Sequence, residues 1–399
     1  MICVFDKHTP QNGFDTCGLR ILNPTSAFIM EELNGRYDYE ISCPMLSDDD
    51  SWQFLQPYNI IKASNGQLFQ INKVVTHTVN GVPTITAYAP HIWYYLADMC
   101  VVKCEDTREA YWTMRDLFTE IQRPTHGEPF GEGTTLFSHG AGLTDYNFSW
   151  SVQLDGMHHY KFKNCSLAYA ILGAADSVVN LWGGYLHRNN FDFSIRKDRK
   201  QDTSDNAFEL VYGYNCSDIK CTIDYSKRIT EHWGWSQFGQ YAGVSFIPDA
   251  GTFPRQVISA ADYSCHETDY NGEVTELTAF IDNYFAENSQ PTVTYDVNYV
   301  DAKDTSYEFN GWDSLRRLKV GDSGYVTGLD GRREHQTIIS VKHNDITQRI
   351  DSLKLGEFIH SPLHETRWDK IISDDTAAYR RLDVLEKRMN YFELIKGDE

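Results

Sequence analysis

Between Leu181 and Thr230 the chain alternates apolar and polar residues three times over: Phe191, Phe193 and Ile195; then Phe208, Leu210, Tyr212 and Tyr214; then Ile219, Cys221, Ile223 and Tyr225. A two-residue period is what a strand with one buried face requires. Gly183-Gly184 and the polar run Lys197 to Asp205 cut the pattern into segments, so the stretch reads as a meander of about four strands. Nothing in it has the look of a catalytic centre. It reads as a wall.

The same period recurs on either side. Tyr37, Tyr39 and Ile41 alternate, as do Phe69 and Ile71, and Thr84 to Tyr88 returns after Asn80-Gly81. Asn-Gly is a strong hairpin signal because both residues tolerate positive φ; Asn34-Gly35 is a second candidate turn. Residues 1–103 are therefore expected to form a first small barrel or sandwich, closures that leave few exposed edges. From Asp106 the period becomes helical, with Ala110, Tyr111, Met114, Leu117, Phe118 and Ile121 on one face and Pro124 as the stop. A Gly-rich loop follows from His126 to Leu143. A second helix is expected over 166–177 with Leu167, Ala170, Ile171 and Ala174 inward, making 104–180 an α+β unit.

After Trp233 and Trp235 the pattern loosens. A helix with Val274, Leu277, Phe280, Ile281, Tyr284 and Phe285 then precedes a strand with Val293, Tyr295, Val297 and Tyr299, so 236–305 reads as a second α+β insertion. The wall resumes over Leu318 to Gly328 and Gln336 to Glu357, which assigns 181–235 together with 306–357 to a second barrel. In the closing segment, 358–399, Ile371, Asp375, Ala378, Leu382, Leu385, Met389 and Phe392 step by four and three. That is an a/d seam of about three heptads, fitting either a helix lying on its own domain or a short coiled coil along a trimer axis. The fold class is thus α+β and β-rich: two small, tube-like β-barrel domains with α+β insertions and a C-terminal helix.

Composition narrows the function. The net charge of −20, from 56 acidic and 36 basic residues, argues against a general or sequence-specific nucleic-acid binder. It fits plain solubility, or a lumen past which DNA slides without sticking. The nine Cys are odd in number and scattered, with no CxxC pair, which implies reduced thiols made in a cytoplasm. The start, MICVFDKHTP, has no basic segment followed by an apolar core, so no signal peptide is expected. No apolar run is long enough to span a membrane.

Motifs for chemistry are missing at the level of spacing. No His is followed by Asp four residues later. His266-Glu267 and His364-Glu365 lack the second His of a zinc-binding HExxH, and Pro362 separates His360 from His364. Cys265-His266 is adjacent in sequence, which is not the geometry of a Cys–His dyad. No nucleophile elbow or phosphate loop occurs. Asp48-Asp49-Asp50 has calcium-type ligands without EF-hand spacing. Arg196, Lys197, Arg199 and Lys200 form the tight basic cluster, expected at a solvated hairpin tip or against an acidic neighbouring subunit. Trp182, Trp233, Trp235, Tyr212 and Tyr214 are expected in the core or a subunit interface, with sugar binding as the alternative. Catalytic, cofactor-binding and metal residues are all expected to be none.

The order of these strands carries a resemblance. WGGYL, NFDFSI, GYN and IDYSKRIT in the meander, NGRYDYEISCP, YNIIKASNGQLFQI and YAPHIWYYLAD before it, and LKVGDSGYVTG with the strand ending at Leu355-Gly356 after it resemble the N-terminal structural region of phage tail-tip hub proteins. These belong to the tail-associated lysin (prophage tail endopeptidase) family, fold relatives of the baseplate hub of contractile phages. The resemblance implies a structural hub in the virion tail tip, made in the host bacterial cytoplasm. It would be a homotrimer with six pseudo-equivalent barrels that sits on the distal tail protein ring. It would meet the tape-measure protein C-terminus and receptor-binding or baseplate proteins, and close the DNA channel until host contact triggers DNA ejection. Ile371, Ala378, Leu382, Leu385, Met389 and Phe392 are the expected trimer-axis positions. In the family the lysin activity sits in separate C-terminal domains, so this chain, ending at Glu399, is expected to be a hub without one. Two other classes stay open: a cell-wall peptidoglycan hydrolase with a site in the loops near 126–145 or 240–270, and a carbohydrate-binding tail adhesin.

Overall fold

A computed structural model describes residues 1–356 apart from 120, 123–145, 174–176, 200–206, 213–215, 227, 236–240, 248–255, 263–280, 283, 287, 300–317, 329–330 and 332. It is a β-rich α+β structure. Its largest element is a sheet whose main path runs through eight strands: Cys216–Asp224, Thr292–Tyr299, Arg349–Gly356, Arg333–Asn344, Ser26–Glu32, Tyr37–Pro44, Val82–Pro90 and Lys73–Val79. Every neighbouring pair on that path is antiparallel. Phe208–Val211, parallel to Ser323–Thr327, branches off through the latter's pairing with Arg333–Asn344.

Local chemistry makes the hairpins. Asn80 and Gly81 both hold positive φ, 50° and 83°, the type I′ geometry whose twist matches the flanking strands. Asn34, at φ 48°, turns Ser26–Glu32 into Tyr37–Pro44. In Tyr37–Pro44 the alternation is complete, with Tyr37, Tyr39, Ile41 and Cys43 buried and Asp38, Glu40, Ser42 and Pro44 half-buried.

The two β regions of the sequence share this one sheet, because Arg333–Asn344 pairs with Ser26–Glu32 through Ser340↔Glu32 to Asn344↔Phe28. Two cores lie beneath it. Under one half, Tyr39, Ile41, Ala27 and Ala87 pack with Ile2, Val4, Ile61 and Phe69. Val4, Ile61 and Phe69 come from a second, four-stranded sheet of Arg20–Ile21, Cys3–Phe5, Ile60–Lys62 and Leu68–Gln70, and Ile2 directly precedes its first strand. Under the other half, Leu210, Ile219, Val297, Ile338, Leu353 and Leu355 pack together.

The four-stranded sheet is buried on both faces. Cys3, Phe5, Ile60 and Leu68 point away from the large sheet into a third core with Trp93, Met114, Leu117, Ile171 and Phe193. This core differs from the expected meander. Tyr185–Asn189 and Asp192–Arg196 form a hairpin in a separate three-stranded sheet with Ser149–Gln153, and Phe191, Phe193 and Ile195 pack there. Phe208–Val211 and Cys216–Asp224 go to the large sheet instead. Alternation fixes which side chains are buried; it does not fix which strand lies alongside.

The helix Ala110–Thr119 buries Ala110, Met114 and Leu117 as its period requires. Tyr111, expected inward, is 50% exposed, and Ile121 is a strand residue opposite Val101. Of the helix expected over 166–177, residues 167–173 are helical and 174–176 lie outside the described residues. The strand Met157–Ser166 runs into a π-type turn, Tyr169–Gly173, and a short helix Val178–Trp182 ends at Gly183 in the left-handed region, φ 68°. Leu167, Ala170 and Ile171 are buried there as expected. Thr292–Tyr299 and the strands of 318–356 lie where the sequence puts them. The C-terminal seam residues Ile371, Ala378, Leu382, Leu385, Met389 and Phe392, residues 126–143, and Val274, Leu277 and Phe280 of the helix expected before Pro291 lie outside the described residues, while Ile281, Tyr284 and Phe285 are helical.

Candidate functional site

The polar phase of the alternation collects on the outer face of the eight-stranded path. Residues in register share a face, so the pairings place Lys220, Asp296, Lys354, Ser340 and Glu32 in one row across five strands. A second row runs Asp218, Asn298, Ser352, Lys342, Met30 and Asp38. A third runs Asn344, Phe28, Glu40, Tyr88 and Lys73. Signs alternate along the first row, which neutralises it locally. Lys342 Nζ lies 4.0 Å from the Phe28 ring centre and Lys73 Nζ 5.1 Å from that of Tyr88, so the apolar rings are capped by cations. Glu32 is paired to Arg36 at 2.9 Å. The result is a wide, wetted, slightly acidic wall.

Among the described residues the wall has two end strands with one strand partner each: Lys73–Val79 pairs with Val82–Pro90, and Cys216–Asp224 with Thr292–Tyr299, beside a single bridge from Cys216 to Tyr212. Both carry exposed apolar side chains: Val75 and Val79 on one, Ile223 (53% exposed), with Tyr225 just past the strand, on the other. Bare edges with apolar residues are templates for another strand. The alternation predicts burial there; Cys221, Ile223 and Tyr225 are instead exposed because the strand runs past its core.

The seam between the two halves is locked by a buried carboxylate. Asp345, 2% exposed, accepts from Tyr39 Oη at 2.7 Å, from Ser64 N and Ser64 Oγ, and from Gln348 Nε2 at 3.3 Å. Its own N–H donates to Ala27 O at 2.8 Å. Burial and the adjacent Asp345 push the Tyr39 phenol well above its usual range, so it stays a donor. A second junction joins the 185–196 hairpin to the first half. Asn34 Nδ2 donates to Gly184 O and Asn34 Oδ1 accepts from Leu186 N. Arg188 donates to Gly35 O at 2.9 Å and lies over the rings of Tyr37, Trp93 and Tyr94.

The residues singled out by sequence fall into place differently. Arg199 is no solvated tip: its Nη1 donates to Thr337 Oγ1 at 2.6 Å, docking the segment onto the large sheet; Lys200 lies outside the described residues. Trp182 is a core residue whose Nε1 donates to Gly156 O. Trp233 donates to Glu231 Oε1 at 2.6 Å, Trp235 is 38% exposed and Tyr212 is exposed; Tyr214 is outside the described residues. Asp50 pairs with Arg20 at 3.0 Å and Asp49 accepts from Ser51 N, with no group of three metal-type ligands among the described residues. Burial pushes the thiols of Cys43, Cys165 and Cys216 up to about 12, which leaves them protonated and poor nucleophiles. Cys265, His266, His360 and His364 lie outside the described residues. The wall residues escaped the sequence reading, although their signal was present as the polar half of each alternating run.

No protein-family model matches the chain, and no curated protein matches its sequence. Solved structures do share its fold. A prophage tail protein, gp18, from Listeria monocytogenes EGD-e superposes with a TM-score of 0.56 at 15% identity, over 90% of this chain and 95% of that one. A tail protein from Neisseria meningitidis MC58 gives 0.56 at 10% identity, over 89% and 96%. The chain thus has the fold of phage tail proteins along nearly its whole length.

Proposed function

We propose that the chain is the structural hub at the tip of a phage tail or phage-tail-like particle, acting as a ring of three copies around a channel. One observation carries this reading: an even number of strands alternating in direction, polar on the outer face and, among the described residues, with one strand partner for each end strand. With eight strands, the two outer ones run antiparallel to each other. A copy related by simple rotation therefore lays its Cys216–Asp224 antiparallel against Lys73–Val79 of the next, with the polar faces aligned. Three copies of the eight-stranded path make a closed barrel of twenty-four strands. At about 4.8 Å between strands and a tilt near 40°, that barrel is roughly 45–50 Å across its backbone, far beyond the small barrels that side chains fill.

The wall suits a channel for DNA. It offers Asp38, Glu40, Glu32, Asp296, Asp218 and Asp224 against Lys73, Lys220, Lys342 and Lys354, and a slightly acidic surface does not hold a polyanion. In this reading the chain is a building part, not an enzyme. The ring stacks on the distal tail ring, meets the tape-measure terminus and receptor-binding or baseplate proteins, and separates its copies on host contact. The phage-tail fold of its structural neighbours supports the assignment.

The test is solution mass by light scattering, with Ile223→Asp as the edge variant. The wild type is expected at three times the chain mass. Because Ile223 is exposed, I223D should fold normally and lose the trimer. A folded wild type that stays monomeric, even with a distal tail ring protein added, overturns the reading.

A further inference from the structure

Glu231–Trp235, Tyr241–Phe246 and Ile258–Asp262 form a three-stranded sheet of their own, with Glu231–Trp235 in the middle. One face of it is covered. His232 is buried with its ring centre 4.3 Å from that of Tyr284, Ser245 Oγ donates to Asp282 Oδ1, and Ile281 is buried. The other face is apolar and reaches the surface. Register sets Glu231 between Phe246 and Ile258, and Trp233 between the smaller Val244 and Ala260. Phe246, Ile258 and Trp235 are exposed. The rings of Trp233 and Trp235, two residues apart on one strand, have centres 6.3 Å apart and planes only 23° from parallel. The pairing with Tyr241–Phe246 shifts register between Gly234 and Trp235, the kind of irregularity that re-aims a side chain. Trp233 Nε1 donates to Glu231 Oε1 at 2.6 Å. That bond fixes the indole and sets a carboxylate in the middle of an apolar row, its second oxygen taking no bond among the described residues.

We propose that this face binds a neutral oligosaccharide lying along Glu231–Trp235, with successive sugar rings on Trp233 and Trp235 and Glu231 accepting from a hydroxyl. Three features select that ligand. Two nearly coplanar indoles side by side make a bench, which suits the flat apolar C–H face of a sugar ring; a cage for a quaternary ammonium needs rings turned to enclose it. The carboxylate between Phe246 and Ile258 repels an anionic ligand. It would also be stripped of water by the apolar surface of a protein partner, at a cost that only a matched donor offsets. A sugar supplies that donor beside its own apolar face, so one ligand satisfies both halves of the site. The bond from Trp233 to Glu231 holds the ring and the acceptor in place beforehand, which lowers the ordering cost of binding. The sheet is separate from the eight-stranded path, so its ligand does not depend on the ring of copies.

The experiment titrates the full chain into cellotetraose and, separately, into the tetramer of N-acetylglucosamine, both flat and neutral, and follows the sugar signals by ligand-observed NMR. Binding of at least one of them in the millimolar range is expected. Trp235→Ala should weaken it about tenfold, as the loss of one stacked ring does, and Glu231→Ala by about as much through the lost acceptor. Phe246→Ser, at a second exposed position, should weaken it several-fold. W235A and F246S change exposed side chains, so both should keep the wild-type melting temperature and solution mass. No binding of either sugar in the millimolar range, or equal binding by W235A, overturns the proposal. Tighter binding of tetramethylammonium than of either sugar also overturns it, in favour of a cation site. So does a smaller solution mass for W235A, which would make the face an interface between copies.

Discussion

Replacing Asp345 by Ala removes the acceptor at the centre of the seam. Tyr39 is 1% exposed, so its hydroxyl, now 2.7 Å from the carboxylate, would have neither protein nor bulk water to bond. A buried donor left without a partner costs about 1–3 kcal/mol, and a hydrogen bond to a charged group contributes about 1.5–3 kcal/mol. Ser64 N–H and Ser64 Oγ lose the same acceptor, although Ser64 sits nearer the surface. Together these put D345A at about 3 kcal/mol less stable than wild type. Tyr39→Phe removes the donor and leaves the carboxylate with Ser64 and Gln348, a loss of about 1 kcal/mol. The two changes should not add. With no phenol to strand, Y39F/D345A should be no more than about 0.5 kcal/mol worse than D345A. Urea unfolding followed by tryptophan fluorescence gives all four corners of the cycle. A D345A penalty under about 1 kcal/mol, or strict additivity, would refute the seam as the place where a buried charge holds the halves in register.

Two further outcomes follow from named groups. His91 is buried, its Nδ1 accepts from Trp93 N at 3.2 Å and its Nε2 faces Gln67 Oε1 at 3.0 Å. Burial and then Arg188 hold it well below the usual histidine range, so the folded form keeps it neutral while the unfolded chain takes up a proton below about pH 6.5. Stability should therefore be full above that pH and fall as pH drops, by up to about 1.4 kcal/mol per unit for this one group; urea midpoints equal at pH 7 and pH 5 would contradict it. Gly81→Val puts a β-branched residue at φ 83° and should destabilise by about 1–2 kcal/mol, read by thermal melting, with the surrounding space open so that strain alone is measured.

Much of the fold could be read from residue order because burial on one face leaves a period. Tyr37 to Cys43, Phe191 to Ile195 and the pair Tyr295 and Val297 are buried where the period puts them, and Asn80-Gly81 turns as its chemistry demands. Partner choice could not be read. The 185–196 hairpin pairs in parallel with Ser149–Gln153, and Ser26–Glu32 finds Arg333–Asn344 some three hundred residues away; nothing in a local pattern encodes either. The site was hidden for a related reason. Asp38, Glu40, Lys342 and Lys354 look like any solvated residues one strand at a time, and become a wall only when the strands are laid in order.

That order also decides where the proposed ring would part. Inside one chain the seam between halves combines five register pairs of backbone with the Asp345 cluster and the Arg199–Thr337 bond. Asn34, Asn190 and Arg188 add bonds across the adjoining hairpin. Breaking it would strand several buried polar groups at once. Between copies of the proposed ring, the facing strands would carry Val75, Val79 and Ile223, all exposed in the single chain, so separating them would return each surface to water with its hydrogen-bonding groups able to pair with solvent. The desolvation penalty that makes the internal seam hard to open is absent there. In the proposed ring, a force applied at the tip would therefore open the contacts between copies and leave each eight-stranded wall intact, so that such an assembly would release its channel without unfolding its parts.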